Sequence, residues 1–324
     1  MYKIAVDCMG SDLGPDIAVE AIRIFVRKHE DAEVFAYGRK EDLKELESLD
    51  RVHVFSCPDV MAMTSGALEA MRARETSMYR AISDMKTNGY DGVVSAGSTG
   101  AFLTLASVKL KNIEGIDRSA LVTAIPVSGG KQVTVLDVGA NAETSAEQLV
   151  QFARMGKVYA EKVLKVKNPK ICLLSNGAED EKGSPEIKKA NRLLREMNFE
   201  GFMGNIEGRE VTKGDLDVLV TGGFAGNVFL KTYEGVAKMF SEMIKNAFYT
   251  NVRSKVGYLL SKKPFDAFKD QMNYESVGGA MFIGIKGVVV KAHGSSNARA
   301  FSMALEVCRR MIEEKVVEQI GDGV

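Results

Sequence analysis

Short runs of β-branched and other apolar residues recur along the chain, and each run ends at a turn residue. Most of the runs are continuously apolar rather than alternating, which is typical of strands that helices cover on both faces of a sheet. The pattern predicts strands at 3–6, 33–37, 52–55, 92–95, 121–125, 133–138, 170–175, 217–221 and 287–291.

Segments with a helical period separate these strands. Their spacing predicts helices at 16–27, 99–111, 142–165, 185–197, 228–247 and 298–316. Ser184 and Pro185 are of the residue types that favour an N-cap and a first helical position. The clearest helical face lies in 228–247, where apolar residues recur every three or four positions at Phe229, Tyr233, Val236, Phe240, Met243 and Ala247.

Strands and helices alternate throughout the chain, without an internal repeat or an obvious linker. Such alternation predicts an α/β protein with a three-layer αβα architecture and a mainly parallel sheet. We therefore expect one α/β domain over residues 1–324. The segment 250–274 differs because it is polar, basic and weakly patterned, so we expect it to leave the sheet.

Six loops that join a predicted strand to a predicted helix contain glycine with Ser, Thr, Asn or Asp, at 7–15, 95–100, 137–141, 175–177, 221–227 and 293–297. Ligands of open α/β sheets bind at the carboxyl ends of strands. Glycine permits a close approach of the backbone, and the N–H groups at a helix start attract anions. Together the loops predict a phosphate or carboxylate site, although each alone is also typical of a tight turn, and Thr99 and Asn141 are also suited to be N-caps.

Several side chains in or near these loops have two interpretations each. Asp7 and Asp137 at strand ends can hold a cation, but orienting the loops or capping helices is the favoured role. His293 suits a functional role and a structural hydrogen bond equally well. Lys182 follows three acidic residues in a segment that is typical of a solvated loop, yet a lysine at a strand edge can also meet a phosphate.

Sharper motifs are absent from the sequence, since it contains no GxxxxGK[ST], no strand-linked GxGxxG and no GxSxG. Lys plus Arg equals Asp plus Glu at 43 each, which argues against a dedicated nucleic-acid binder. The three histidines lack metal-ligand spacing, and the four cysteines form no CxxC pair. We expect buried, reduced thiols in a cytoplasmic protein, including Cys8, because no signal peptide or membrane-spanning run is evident.

An ordered set of motifs runs from residue 4 to residue 296. It reads IAVDCMGSDLGP, VVSAGSTGA, DRSAL, LDVGAN, LLSNGAEDEKG, GNIEGRE, GGFAGNVFLKTYEG and GVVVKAHGSS. In these motifs the chain resembles the PlsX family, the phosphate acyltransferases of bacterial phospholipid synthesis. It departs from the usual family pattern at Cys8, Ser11, Ser98 and Ser119.

The resemblance implies that inorganic phosphate attacks the thioester of a long-chain acyl-[acyl carrier protein], giving acyl phosphate and the carrier protein. It implies a fold similar to the isocitrate/isopropylmalate dehydrogenases and phosphotransacetylases, a homodimer, and neither metal nor other cofactor. It also implies a peripheral membrane location beside a downstream glycerol-phosphate acyltransferase.

By motif match, Lys182 and Asn227 correspond to residues regarded as catalytic in the family. We expect Lys182 to neutralise negative charge and Asn227 to donate to the carbonyl oxygen. The residues expected to bind phosphate or substrate are Asp7, Gly10, Gly97, Ser98, Thr99, Gly100, Asp137, Gly139, Asn141, Gly226, Lys231 and His293.

Two other functions are compatible with these features. One is a phosphotransacetylase-like enzyme that uses acyl-coenzyme A, and the other is a non-catalytic metabolite sensor at the membrane surface. The segment 245–263 mixes basic with apolar residues, which suits a membrane interface or a dimer contact. An acidic carrier protein would need a basic docking surface, and the candidate residues are Arg72, Arg74, Arg80, Arg253, Lys255, Lys262 and Lys263.

Overall fold

The computed structural model describes residues 1–263 and 279–323. In these residues eleven strands form one sheet in the order β3-β2-β1-β4-β11-β10-β5-β6-β9-β7-β8. The strands are β1 Tyr2–Asp7, β2 Ala32–Gly38, β3 Val52–Ser56, β4 Gly92–Ser95, β5 Ala120–Val127, β6 Lys131–Leu136, β7 Ile171–Ser175, β8 Phe202–Glu207, β9 Val218–Val220, β10 Ala280–Ile283 and β11 Val288–Lys291. All nine predicted strands are present, whereas β8 and β10 were not predicted.

The six predicted helices are also present, and Ser184 and Pro185 begin one of them as expected. The α-helices are α1 Asp16–Lys28, α2 Ala67–Arg72, α3 Ser77–Asn88, α4 Thr99–Leu110, α5 Ala146–Lys162, α6 Pro185–Glu196, α7 Gly208–Val211, α8 Gly223–Phe248, α9 Val252–Leu260, α10 Ala298–Glu313 and α11 Val316–Asp322. Short 3-10 helices span Lys44–Ser48 and Ser128–Gly130. The six predicted ranges do not include α2, α3, α7, α9 and α11.

The sheet contains two parallel groups that run in opposite directions. Strands β3, β2, β1, β4 and β11 are parallel neighbours, and so are β6, β9, β7 and β8. Between the groups, β10 pairs antiparallel with β11 and β5, and β5 pairs antiparallel with β6. The prediction of a mainly parallel sheet is confirmed. The six glycine-rich loops nevertheless do not share one edge, because the tight β5–β6 hairpin reverses the chain direction.

The apolar core occupies both faces of the sheet. On β1, Ile4 and Val6 pack in a cluster with Phe25 of α1, while the intervening Ala5 packs in a second cluster with Met78 of α3. Alternate side chains of a strand point to opposite faces, so helices cover both sides of this sheet. The predicted three-layer αβα architecture is therefore confirmed.

The C-terminal part of α8 continues into α9, which packs back against it. The ring of Tyr258 lies 5.9 Å from that of Phe248 and 5.8 Å from that of Tyr249. Residues 264–274 of the predicted excursion at 250–274 lie outside the described residues. That excursion, and a single domain over 1–324, therefore stay predictions. In the part of the chain that the structure describes, no helix is long and apolar enough to cross a membrane.

Candidate functional site

A cleft of about 530 Å³ opens over the centre of the sheet, between the starts of α4 and α8. Its floor includes Leu121 and Thr123 of β5. Because the loops after β6 and β11 also reach it, the cleft joins the two oppositely directed halves of the sheet. Six of the residues predicted to form the site line it, namely Thr99, Gly100, Gly139, Asn227, Lys231 and His293.

Asp7 lies beneath this cleft, at the end of β1. Its buried carboxylate accepts hydrogen bonds from the hydroxyls of Ser77 and Ser95, both at 2.6 Å. Burial raises the pKa of Asp7, and the two hydroxyl hydrogen bonds oppose that shift. A Cβ at Gly10 would lie 2.4 Å from the backbone nitrogen of Gly97, so the two loops touch through their glycines. Asp7, Gly10 and Gly97 thus support the site from below.

The loop after β4 presents the first turn of α4 to the cleft. Ser98 is the N-cap, and its hydroxyl accepts the N–H of Ala101 at 3.4 Å. Thr99 is therefore the first helical residue rather than the N-cap, and its side chain is left to line the cleft beside Gly100. The N-cap interpretation of Asn141 is wrong as well, because Ser145 caps α5 through a capping box.

Asp137 organises the loop that follows β6. Its fully buried carboxylate accepts the backbone N–H groups of Leu121, Gly139, Ala140 and Asn141 at 2.9–3.0 Å, and the Asn141 side-chain amide at 2.8 Å. Five donors occupy the two oxygens, so the carboxylate orients the loop and does not face the cleft. Asn141 also donates from Nδ2 to the carbonyl of Ser119 at 2.8 Å.

Asn227 lies in the first turns of α8 and packs against this loop. A Cβ at Gly139, where φ is +130°, would lie 3.2 Å from Nδ2 of Asn227. A Cβ at Gly226 would lie only 1.9 Å from the carbonyl oxygen of Asp137. Gly226 is required because its backbone touches the carbonyl of Asp137, and Gly139 is favoured because of its positive φ. The packing of these two glycines sets the position of the Asn227 amide at the cleft.

Replacing Gly226 by alanine is expected to lower both thermal stability and turnover, because α8 must move away from the loop after β6 to accept a methyl group. The matched control is Gly235→Ala in the same helix, where an added Cβ meets nothing within 4 Å. Alanine there should stabilise the protein by about 0.5–1 kcal/mol. Thermal unfolding of the two variants tests this, and equal melting temperatures would contradict it.

Lys182 lies away from the lining of this cleft, on the exposed loop between β7 and α6. The carbonyls of Glu179 and Lys182 accept hydrogen bonds from the Asn205 side chain at 2.8 and 3.3 Å, which anchors the loop. The next residue, Gly183, lines a second cavity of about 730 Å³ that also touches Phe224 of α8. The start of α8 thus borders both cavities, with Asn227 on the first and the Lys182 loop along the second.

Lys231 and His293 stand at the rim of the first cleft. The ammonium of Lys231 pairs with Glu234 at 2.8 Å in the next turn of α8. Nδ1 of His293 accepts the backbone N–H of Ser295 at 3.3 Å and lies 2.8 Å from the hydroxyl of the same residue.

Sequence reasoning missed Lys291, the last residue of β11, which is buried and lines the same cleft. The available signal was a lysine that closes the apolar run VVVK directly before a glycine-rich loop. Cys8 is fully buried, and burial raises its pKa well above the usual value, which makes it a poor nucleophile. Over residues 1–263 and 279–323, no group of three His, Cys, Asp or Glu side chains is arranged to hold a metal.

Comparison with known proteins assigns a family. The model of the family described as "Fatty acid synthesis protein" matches residues 2–319. A phosphate acyltransferase of Clostridium novyi (strain NT) is 38% identical, over 99% of this chain and 98% of its own length. Another, from Aliarcobacter butzleri (strain RM4018), is 39% identical, over 94% of this chain and 92% of its own.

The fold is similar to that of a known transferase structure. A phosphotransacetylase from Streptococcus pyogenes superposes with a TM-score of 0.62 at 15% identity, covering 97% of this chain and 94% of its own. This likeness shows the fold alone, whereas the family match extends over nearly the whole sequence. The chain therefore belongs to the fatty acid synthesis protein family, the PlsX family of phosphate acyltransferases that its ordered motifs indicate.

Proposed function

We propose that this protein is a phosphate acyltransferase that converts a long-chain acyl-[acyl carrier protein] and inorganic phosphate into acyl phosphate and the carrier protein. The observation that carries the proposal is the composition of the cleft, where Asn227 of α8 and the first turn of α4 border a partly apolar cavity. The curated relatives that bear the name phosphate acyltransferase support it.

The two kinds of wall in the cleft suit the two substrates. The start of α4 lines the cleft with backbone N–H groups and the positive end of a helix dipole, which favour an anion. Leu103, Leu121, Val138 and Leu230 supply apolar surface for an acyl chain. A cleft with both features holds phosphate against an acyl carbonyl, which is the geometry that the reaction needs.

In the proposed reaction, an oxygen of hydrogen phosphate bonds to the thioester carbonyl carbon, and the carbon–sulfur bond then breaks. The proton of hydrogen phosphate passes to the departing sulfur, so the products are acyl phosphate and the carrier thiol. Phosphate is already an anion near neutral pH, so the protein's main task is alignment and stabilisation of the carbonyl oxyanion. We assign the oxyanion to Asn227 and the neutralisation of phosphate charge to Lys182.

Trapping of the product tests this proposal. Pure protein is incubated with acyl carrier protein thioester and phosphate, and acyl phosphate is captured by hydroxylamine as a hydroxamate. Phosphate-dependent hydroxamate is the expected result. The same assay with acyl-coenzyme A distinguishes a phosphotransacetylase-like enzyme, and the absence of phosphate-dependent product from both thioesters would reject the proposed function in favour of a non-catalytic sensor.

We assign the docking of the acidic carrier protein to the basic residues that follow β3. Arg72 ends α2 and Arg74 lies just beyond it, and both are exposed. Met63, in the loop before α2, lines the cleft, so this basic segment is continuous with the mouth of the site. A basic surface next to the cleft would bring the carrier's thioester to phosphate.

The middle of α8 supports a homodimer. Of the helix face predicted from the sequence, the first residues, Phe229 and Tyr233, pack on the protein core. The later ones are exposed, with Val236 at 42%, Phe240 at 49% and Met243 at 57%. A continuous apolar helix face of this kind is suited to a second copy of the chain.

The end of α9 is our proposed membrane contact, which would also place the enzyme near a downstream glycerol-phosphate acyltransferase. Leu259 is 70% and Leu260 is 84% exposed there. Changing both to Glu is expected to abolish sedimentation with anionic liposomes, since apolar area and nearby cations drive interfacial binding. Gel filtration serves as the control for assembly. Unchanged sedimentation would reject the membrane role, and loss of the dimer would assign the pair to the subunit contact.

A further inference from the structure

Lys291 is a buried cation at the centre of the cleft. It ends β11, where it pairs with Ser95 of β4 and Ala280 of β10, and it is only 7% exposed. It is also one of the residues that line the cleft. Burying an ammonium costs free energy unless hydrogen bonds and opposite charge compensate for the lost water. The presence of a lysine at the buried end of an apolar strand therefore calls for a structural explanation.

The protein itself supplies two of its hydrogen-bond partners, and both are neutral. The ammonium donates to the carbonyl oxygen of Ala96 at 3.0 Å and to that of Ala292. An ammonium has three protons, and among residues 1–263 and 279–323 these two carbonyls are its hydrogen-bond partners, so one proton remains to be donated to a ligand in the cleft. The carboxylates of Asp12 and Asp7 act on Lys291 only through space. Asp7 is already held by Ser77 and Ser95.

The hydrogen bond to Ala96 ties Lys291 to the loop that begins α4. Ala96 follows β4 directly and precedes the Gly97-Ser98-Thr99 turn, in which Ser98 caps the helix. The ammonium therefore lies beside the start of a twelve-residue helix whose first residue, Thr99, also lines the cleft. A fixed cation and a helix N-terminus on the same side of a cavity attract the same ligand, an anion.

We propose that Lys291 is a further phosphate-binding residue of the acyl transfer reaction, with Nζ donating to a phosphate oxygen while its hydrogen bond to Ala96 holds the loop that begins α4 in place. This inference rests on the proposed function and adds a residue to it. Lys231, which is exposed and paired with Glu234, then belongs to the rim. The fixed, buried cation is Lys291.

The test is the dependence on phosphate of Lys291→Met, which keeps the length of the chain and removes the charge. We expect the KM for phosphate to rise about 10- to 100-fold, the loss of one charged hydrogen bond, with a smaller change in the KM for acyl carrier protein thioester. The matched control is Lys286→Met, an exposed lysine on the same β10–β11 hairpin, which should behave as wild type. A folded Lys291→Met protein with unchanged phosphate KM would overturn the inference.

A second measurement does not depend on turnover. Inorganic phosphate should raise the melting temperature of the wild type and of Lys286→Met, but not that of Lys291→Gln, which retains an N–H donor without the charge. Equal phosphate stabilisation of all three proteins would overturn the inference even if none made acyl phosphate. Conversely, a wild type that binds phosphate through Lys291 but forms no hydroxamate would refute the proposed function alone.

The activity of the wild type should also depend on pH through Lys291, since burial lowers the pKa of this lysine to about 8. The ammonium is present below that pH and is lost above it. The kcat/KM for phosphate should therefore fall as the pH rises through about 8, because this ratio reports ionisations of the unbound enzyme. Among the described residues, the charged groups that face Lys291 are Asp7, Asp12 and Lys231, with Glu234 and His293 also lining the cleft. A profile that stays flat to pH 9.5 would contradict the assignment.

Discussion

Asn227→Ala is expected to lower kcat by about 10²- to 10³-fold while the protein remains folded, which is the range observed when one oxyanion donor is removed. The amide borders the cleft and is exposed to it, so its loss leaves no cavity in the core. The loop after β6 fixes its place, through Gly139 and the close contact of Gly226 with Asp137. A preorganised donor of this kind acts mainly on the transition state, so KM should change less than kcat.

We expect Lys182→Ala to reduce turnover by a similar order, although its loop borders the second cavity rather than the cleft. The loop of Lys182 is anchored by hydrogen bonds from Asn205 to its backbone carbonyls. Because the Lys182 side chain is exposed, it can be removed without unfolding the protein. Lys188→Ala, an exposed lysine of the adjacent α6, is the matched control and should retain full activity. Hydroxamate formation and thermal unfolding are measured for all three variants. Near-normal turnover of both Asn227→Ala and Lys182→Ala would remove the catalytic assignments.

The elements that the sequence predicted are those whose burial leaves a simple pattern. A strand covered on both faces is continuously apolar, as Val93 and Val94 are, and nine such strands were predicted. The strand β8 was not predicted because its pattern is mixed, with Gly204 and Asn205 in its centre. The reversal between the two halves depends on pairing across the sheet, which periodicity cannot report.

The sequence predicted which loops form the candidate site, but not which of their residues line the cleft. Glycine-rich loops at strand ends indicated an anion site, yet Asp137 and Gly226 support it from outside the cleft lining. The apolar helix face predicted in α8 is exposed beyond Tyr233, because α8 extends past the core. Lys291 was not predicted as a site residue, because the sequence does not indicate towards which face of the sheet the side chain of a lysine at the end of an apolar strand points.

The largest expected effect on stability belongs to Asp137→Ala. Removing this carboxylate leaves four buried or partly buried backbone N–H groups without this acceptor, and the Asn141 side-chain amide with the carbonyl of Ser119 alone. Each unsatisfied donor costs about 1 kcal/mol or more, so we expect a loss of about 3–5 kcal/mol after relaxation. Activity should fall together with stability, because the loop after β6 would no longer hold the start of α8.

Urea unfolding of Asp137→Ala, with Glu143→Ala as the control, tests this expectation. Glu143 is an exposed acid only six residues further along the same connection, so its loss removes a like charge without removing the acceptor. Asp137→Asn should lie between the two, since one oxygen remains while the amide nitrogen that replaces the other faces N–H donors. If Asp137→Ala unfolds at the same urea concentration as Glu143→Ala, the carboxylate does not organise this loop, and the position of Asn227 must be fixed by the packing of Gly139 and Gly226 instead.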